Sequence, residues 1–183
     1  MTEPEDHVLV RRFLASRDEA VFRMLYQCQT PMLYRVAARL VAGSSIRPED
    51  VVQETWLRGI TRLVDFRFES KLGTWLVAIV INITRELHRT RADVIPFESL
   101  VDVPDRVESD PARIAENDIA PLLERLPEGY LTVLILHDLE GFTHAEIATA
   151  LGIVPGTAKS QLSRARAAAR ALLESPSAGF GRR

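Results

Sequence analysis

The sequence is poor in the residues on which several kinds of protein depend. It holds one cysteine, Cys28, in 183 residues, so no internal disulfide can form and a disulfide-stapled scaffold is excluded. The four histidines, His7, His88, His137 and His144, are scattered, and with a lone thiol they offer no metal-ligand spacing. Neither a metal site nor a cofactor is expected. No stretch approaches the roughly 18 uncharged apolar residues that a bilayer crossing needs, and the N-terminal MTEPEDHVLVRR has no apolar leader core. A cytoplasmic protein without a membrane span is therefore expected. Asn-Gly hairpin signals are missing and alternating runs are few, which argues against strands. There is no phosphate loop and no nucleophile paired with a base. His137, Asp138 and Glu140, or His144 and Glu146, fall where helix ends and caps already account for them, so an enzyme is not expected. Cys28 itself sits beside apolar helix positions and reads as a small buried hydrophobe.

What is present is an ordinary globular composition, 46% hydrophobic and 26% charged. The net charge of −2 conceals an asymmetry. Asp93 to Glu128 contains ten acidic residues and three arginines, a local −7 that leaves +5 for the rest of the chain. Two basic regions around an acidic one suggest a polyanionic partner held by the ends. The acidic segment also carries Pro96, Pro104 and Pro111, too closely spaced for a continuous helix. It reads as a flexible linker over 92–118 between a domain at 1–91 and one at 119–175, with 176–183 as a disordered tail.

Both flanks have helical periodicity. One helix is expected from the N-cap Asp18 to Gly43, kinked or broken at Pro31. A second starts at Pro48, with Glu49 and Asp50 at the positive end of its dipole. The third, capped by Ser70, is apolar in its first half and basic toward Arg85, Arg89 and Arg91. Downstream, Thr143 and Glu146 form a capping box for a helix that stops at Gly152. The next helix, from Gly156 or Thr157, places Ala158, Leu162, Ala165, Ala169 and Leu172 on one stripe. Two short helices joined by a tight glycine turn, the second basic, form a helix-turn-helix whose second helix suits the DNA major groove. Opposite its apolar stripe lie Ser160, Ser163 and Arg164, flanked by Lys159, Arg166 and Arg170 on one side and Gln161 on the other. Ahead of the third helix, DFRFESKLGTW sets Phe66 and Phe68 beside Arg67 and Lys71, the stacking faces and cations that an unpaired base and its phosphate require. Closing a small helical core is an equal alternative for those two phenylalanines.

Three motifs in order, PEDVVQETWLRGITRL, FRFESKLGTWLVAIVIN and LPEGYLTVLILHDLEGFTHAEIATALGIVPGTAKSQLSRARAAAR, resemble the extracytoplasmic-function (ECF) group of bacterial sigma factors, the promoter-recognition subunits of RNA polymerase. The resemblance implies an all-α protein of two small helical domains, the C-terminal one a helix-turn-helix. It implies core RNA polymerase and promoter DNA as partners, and an anti-sigma protein as a further one. By that likeness Asp50, Gln53, Glu54 and Leu57 would dock on polymerase. Phe66, Arg67, Phe68, Glu69, Ser70 and Lys71, with Asn82, would capture a base flipped from the −10 element, and Arg85, Arg89 and Arg91 would follow the strand. Lys159, Ser160, Gln161, Ser163 and Arg164 would read the −35 element, with Thr157 and Arg166 nearer the phosphates.

The chain departs from the group's pattern at a few positions. Phe68 stands where a glycine is common, Gly73 where a larger or basic residue is common, and Ala78 where an arginine is frequent. Gln161 replaces a frequent arginine. Two rivals are a stand-alone helix-turn-helix regulator, which would not need PEDVVQETWLRGI, and a helical interaction module, which would not need the polar face from Ser160 to Arg166.

Overall fold

The computed structural model describes residues 3–90 and 126–174, and among these every regular element is helical. The expected linker, the tail and Arg91 lie outside the described residues. Helix α1 spans Glu3–Ser16, α2 Glu19–Leu40, α3 Pro48–Arg62 and α4 Leu72–Thr90, with a 3-10 turn at Leu63–Asp65. In the C-terminal half α5 spans Glu128–Leu134 and runs into a π-helical turn at Ile135–Leu139, followed by α6 at His144–Leu151 and α7 at Pro155–Glu174.

Several elements start and stop where local chemistry dictates. Asp18 accepts from the Ala20 N–H at 2.8 Å and caps α2. Pro48 opens α3 with Glu49 and Asp50 in its first turn. Thr143 and Glu146 make a reciprocal capping box on α6, which ends at Gly152 in the left-handed region at φ 67°.

Three local expectations are corrected. Pro31 does not break α2, which continues through it. The proline lies on the solvent face, where water can satisfy the carbonyl that loses its partner. Ser70 does not cap α4: its hydroxyl donates to the Lys71 carbonyl and the helix begins two residues on. Cys28 is exposed, on the face of α2 that carries Met24, because the buried stripe runs through Val21, Leu25, Gln29 and Leu33.

Helix α4 is the centre of the molecule. Leu72, Leu76, Val77, Val80, Ile81 and Ile83 are all buried along it, and it packs against α2, α3 and α6. Helices α2 and α4 run side by side in the same direction. Gln29 lies against Gly73 near one end, and His88 Nε2 lies 3.3 Å from the Leu40 carbonyl at the other. The apolar core is continuous from Val10 and Phe13 of α1, through α4, to Val133, Ile147 and Leu162 of the C-terminal half. Its burial is the dominant stabilising contribution, at about 25 cal/mol for each Å² of apolar surface removed from water.

Candidate nucleic-acid interface

Helix α7 presents two faces. Ala158, Leu162 and Ala165 are buried against α5 and α6, while Lys159, Ser160, Ser163 and Arg164 are exposed and Thr157 and Gln161 partly so. The turn before it is closed by the Ile153 N–H donating to the Ala148 carbonyl at 3.0 Å, with Gly152 supplying the left-handed residue. Helices α6 and α7 thus form a helix-turn-helix whose second helix turns a hydrogen-bonding and cationic face outward. Arg166 is not free on that face. Its guanidinium donates to both Asp138 oxygens, at 2.5 and 3.0 Å. Burial would raise the Asp138 carboxyl, but bonds from Arg166 and His137 outweigh it and hold the group below its ordinary value.

The loop ahead of α4 is organised by its neighbours. Phe66 is only 5% exposed and packs on Phe68 at 4.9 Å and Trp75 at 5.4 Å between ring centroids. It belongs to the core, leaving Phe68, Arg67, Glu69 and Lys71 at the surface of the loop. Phe68 adopts φ 60°, a left-handed conformation costly for any residue with a Cβ. Two residues of α1 secure it: the His7 ring lies edge-on at 5.1 Å and the Arg11 guanidinium stacks over the ring at 4.9 Å. His7 Nε2 also lies 3.4 Å from the Ser70 carbonyl. Helix α1 was not among the expected elements, and its signal is the spacing of Asp6, Val10 and Phe13, all buried. The loop meets α4 at Trp75, two turns before Asn82, which is exposed further along the helix. Arg89 is exposed near the end of α4, and Arg85 pairs with Glu128 at 2.9 Å.

A second surface lies between α2 and α3, where a groove of about 550 Å³ is lined by Tyr26, Tyr34, Gln53, Trp56 and Leu57 among others. Asp50, Gln53 and Leu57 form an exposed stripe on α3, Leu57 being 57% exposed. Glu54 is turned aside, its carboxylate accepting from Arg58 at 2.6 Å while Arg58 also reaches Glu86 of α4. The aromatic wall of α2, Tyr26 and Tyr34 two turns apart, escaped the sequence reading. Its trace is two tyrosines at a helical interval, each directly following a residue of the buried stripe and so on its flank.

Comparison with known proteins decides what this arrangement belongs to. Residues 25–93 match the family described as Sigma-70 region 2, and residues 117–168 match Sigma-70, region 4. The RNA polymerase sigma factor NccH of Alcaligenes xylosoxydans xylosoxydans is 32% identical over 96% of this chain and 98% of its own length. The ECF RNA polymerase sigma factor SigM of Mycobacterium tuberculosis is 31% identical over 85% of this chain and 79% of its own. The chain is an ECF sigma factor.

The structure of CnrH in complex with the cytosolic domain of CnrY covers 94% of the chain and 99% of that structure, with a TM-score of 0.70 at 24% identity, and shares the fold of this sigma factor. The sigma factor RpoE in complex with the anti-sigma factor NepR from Bartonella quintana is similar at a TM-score of 0.63 and 25% identity, over 84% and 96% of the two chains. Members of this family are initiation factors that direct RNA polymerase to promoters. No helix among the described residues of this sigma factor is long and apolar enough to cross a membrane.

Proposed function

We propose that this sigma factor divides its work among three surfaces. Asp50, Gln53 and Leu57 of α3, with the aromatic wall of α2, dock on core polymerase. Phe68 with its loop, Asn82, Arg85 and Arg89 meet the unpaired −10 strand, and α7 reads the −35 duplex. The exposed face of α7 carries the reading furthest, because Arg164 can bond a guanine edge bidentately while Lys159 suits a phosphate. The protein acts in the cytoplasm, where polymerase and promoters are, makes no bond itself, and is held in reserve by an anti-sigma protein. That last point is supported by the similar structure of the sigma factor RpoE, which contains the anti-sigma factor NepR.

The deciding experiment is transcription by purified core polymerase on a promoter library, with and without the sigma factor. Arg164→Ala should lose roughly 1–3 kcal/mol at one base pair of the −35 element, whereas Lys159→Ala should weaken all sequences alike and lower the salt slope by about one. Polymerase binding should survive both. Equal promoter choice by wild type and the double variant over a range of salt concentrations would overturn the assignment of α7.

A further inference from the structure

Helix α1 lies ahead of the residues that match Sigma-70 region 2, yet it reaches the loop before α4. Its rotation about its own axis is set by what it buries. Val10 and Phe13 enter the core, and the buried Asp6 carboxyl accepts from the Gln29 amide at 3.3 and 3.4 Å. With those positions turned inward, His7 and Arg11, one turn apart, fall together on the side that faces the loop. The His7 ring meets the Phe68 ring edge-on at 5.1 Å, and its Nε2 lies 3.4 Å from the Ser70 carbonyl. The Arg11 guanidinium lies 4.9 Å over the same phenylalanine. Phe68 holds a left-handed φ of 60°, a conformation that persists only where its surroundings impose it. Those surroundings include α1. Arg11 also differs from nearby cations in what it is bound to. Lys71 pairs with Glu146 at 2.8 Å and Arg85 with Glu128 at 2.9 Å, whereas Arg11 is exposed and has no carboxylate partner among the described residues. A guanidinium resting on a ring by its face keeps its N–H edge for an oxyanion.

We infer that α1 completes the −10 site, Arg11 binding the strand phosphate beside the unpaired base and His7 positioning the loop through Phe68 and the Ser70 carbonyl. The inference rests on the reading of Phe68 and its loop as strand contacts. A base stacked at Phe68 brings its own phosphate to the rim of the ring over which Arg11 already stands. A guanidinium placed in advance loses little freedom on meeting that phosphate, and the bond is charge-assisted and carries no base preference. His7 touches no DNA in this arrangement. It acts through the loop, keeping a left-handed residue in place where the chain has no glycine.

The test uses the full chain with core polymerase and, as probe, a fluorescent fork template from a promoter chosen in the library experiment, duplex through the −35 element and single-stranded through the −10 region. Arg11→Gln should weaken fork binding about tenfold at low salt, the loss of one charge-assisted bond. It should also lower the salt slope by about 0.7, the share of one phosphate on a single strand. Arg11→Lys should recover most of the affinity and the slope. His7→Ala should weaken fork binding several-fold with the slope unchanged, and His7→Gln, whose amide can still donate to the Ser70 carbonyl, should restore it. If His7→Ala fails to fold by circular dichroism, His7→Phe takes its place, keeping a ring and losing the donor. A duplex probe of the −35 element alone should bind every variant alike; a loss there as well marks a role in folding and overturns the inference. Wild-type affinity and slope in Arg11→Gln overturn it too, and Phe68→Ala tells how far the failure reaches. If Phe68→Ala weakens fork binding, only the role of α1 falls. If it also binds as wild type does, the assignment of the loop to the strand falls with it.

Discussion

Gly73 sits in the first turn of α4, directly beneath α2. A Cβ placed there would lie 2.9 Å from Gln29 Oε1 and 3.0 Å from Met32 Cε. Gln29 cannot swing clear at little cost, because it is buried and its amide donates to Asp6 at 3.3 Å. Gly73→Ala should therefore destabilise the fold by about 1–3 kcal/mol, the usual cost of overfilling a packed core, read from the urea midpoint. The departure from the family pattern at this position thus has a packing reason. Phe68 has the reverse story: its φ of 60° is where glycine is at ease, and the ring is retained through His7 and Arg11. Phe68→Ala keeps the strained backbone and loses the ring, so Phe68→Gly should be the more stable of the two by ~1 kcal/mol. Asp6 makes a third case. Burial raises its carboxyl above the ordinary value, so the folded chain holds that proton more tightly than the unfolded chain. The contribution is fully present below the unfolded pKa and is lost as pH rises through the raised one. Asp6→Asn keeps an acceptor for Gln29, and its stability relative to wild type should climb across that window in a series of urea titrations. The sequence marked Gly73 and Phe68 as departures from the family pattern but not the packing behind them, because contacts such as those of Val10 and Phe13 are made only in the tertiary structure.

Helices α6 and α7 were legible almost to the residue, since a capping box and a left-handed glycine are signals carried within a few positions. Thr143→Ala removes half of that box and should cost about 1 kcal/mol. Glu146 adds a pH dependence. Burial raises its carboxyl, but Lys71 and Thr143 outweigh that and hold it below its ordinary value. Its contribution is present above the unfolded pKa and disappears as pH falls through the lowered one. Melting followed at a series of acid pH values should show the loss in wild type and a smaller loss in Glu146→Gln. What could not be read in the sequence of α7 was the state of Arg166. Its partner Asp138 is 28 positions away, and no periodicity reports a contact made across a turn. The three-surface division of the site followed from motifs, while Phe66 passed from the candidate site to the core because only the packed structure shows what covers a ring.

At the scale of the whole molecule, the apolar core does not stop at α4 but continues into α5, α6 and α7. Both tryptophans, Trp56 and Trp75, lie in the N-terminal half, so fluorescence sees that half alone while far-ultraviolet circular dichroism sees all the helices. Because the halves share a core, urea should unfold them together and the two probes should give coincident transitions. A dichroism change that precedes the fluorescence change would show the C-terminal half melting independently. The sequence predicted two helical domains and gave no hint of their packing, because the pairs that join them, Lys71 with Glu146 and Arg85 with Glu128, are 75 and 43 positions apart.

The five-residue π turn at Ile135–Leu139 can be considered as a matter of phase. A π turn holds more chain per revolution than an α-helix, in which each residue advances the direction of side chains by about 100°. Asp138 aims at Arg166 from within this turn, and Glu140, just after it, aims at Arg35 and Arg39. Loss of one codon here, such as that for Leu139, would let the turn tighten to α geometry, and since the wide turn and an ordinary α turn each cover about one revolution, Glu140 would keep its direction toward α2. The capping box and the outward face of α7 lie downstream of the change and would keep their internal form. The wide turn is therefore a place where the chain can gain or lose one residue while the halves keep facing each other as they do, the length change being absorbed by the winding.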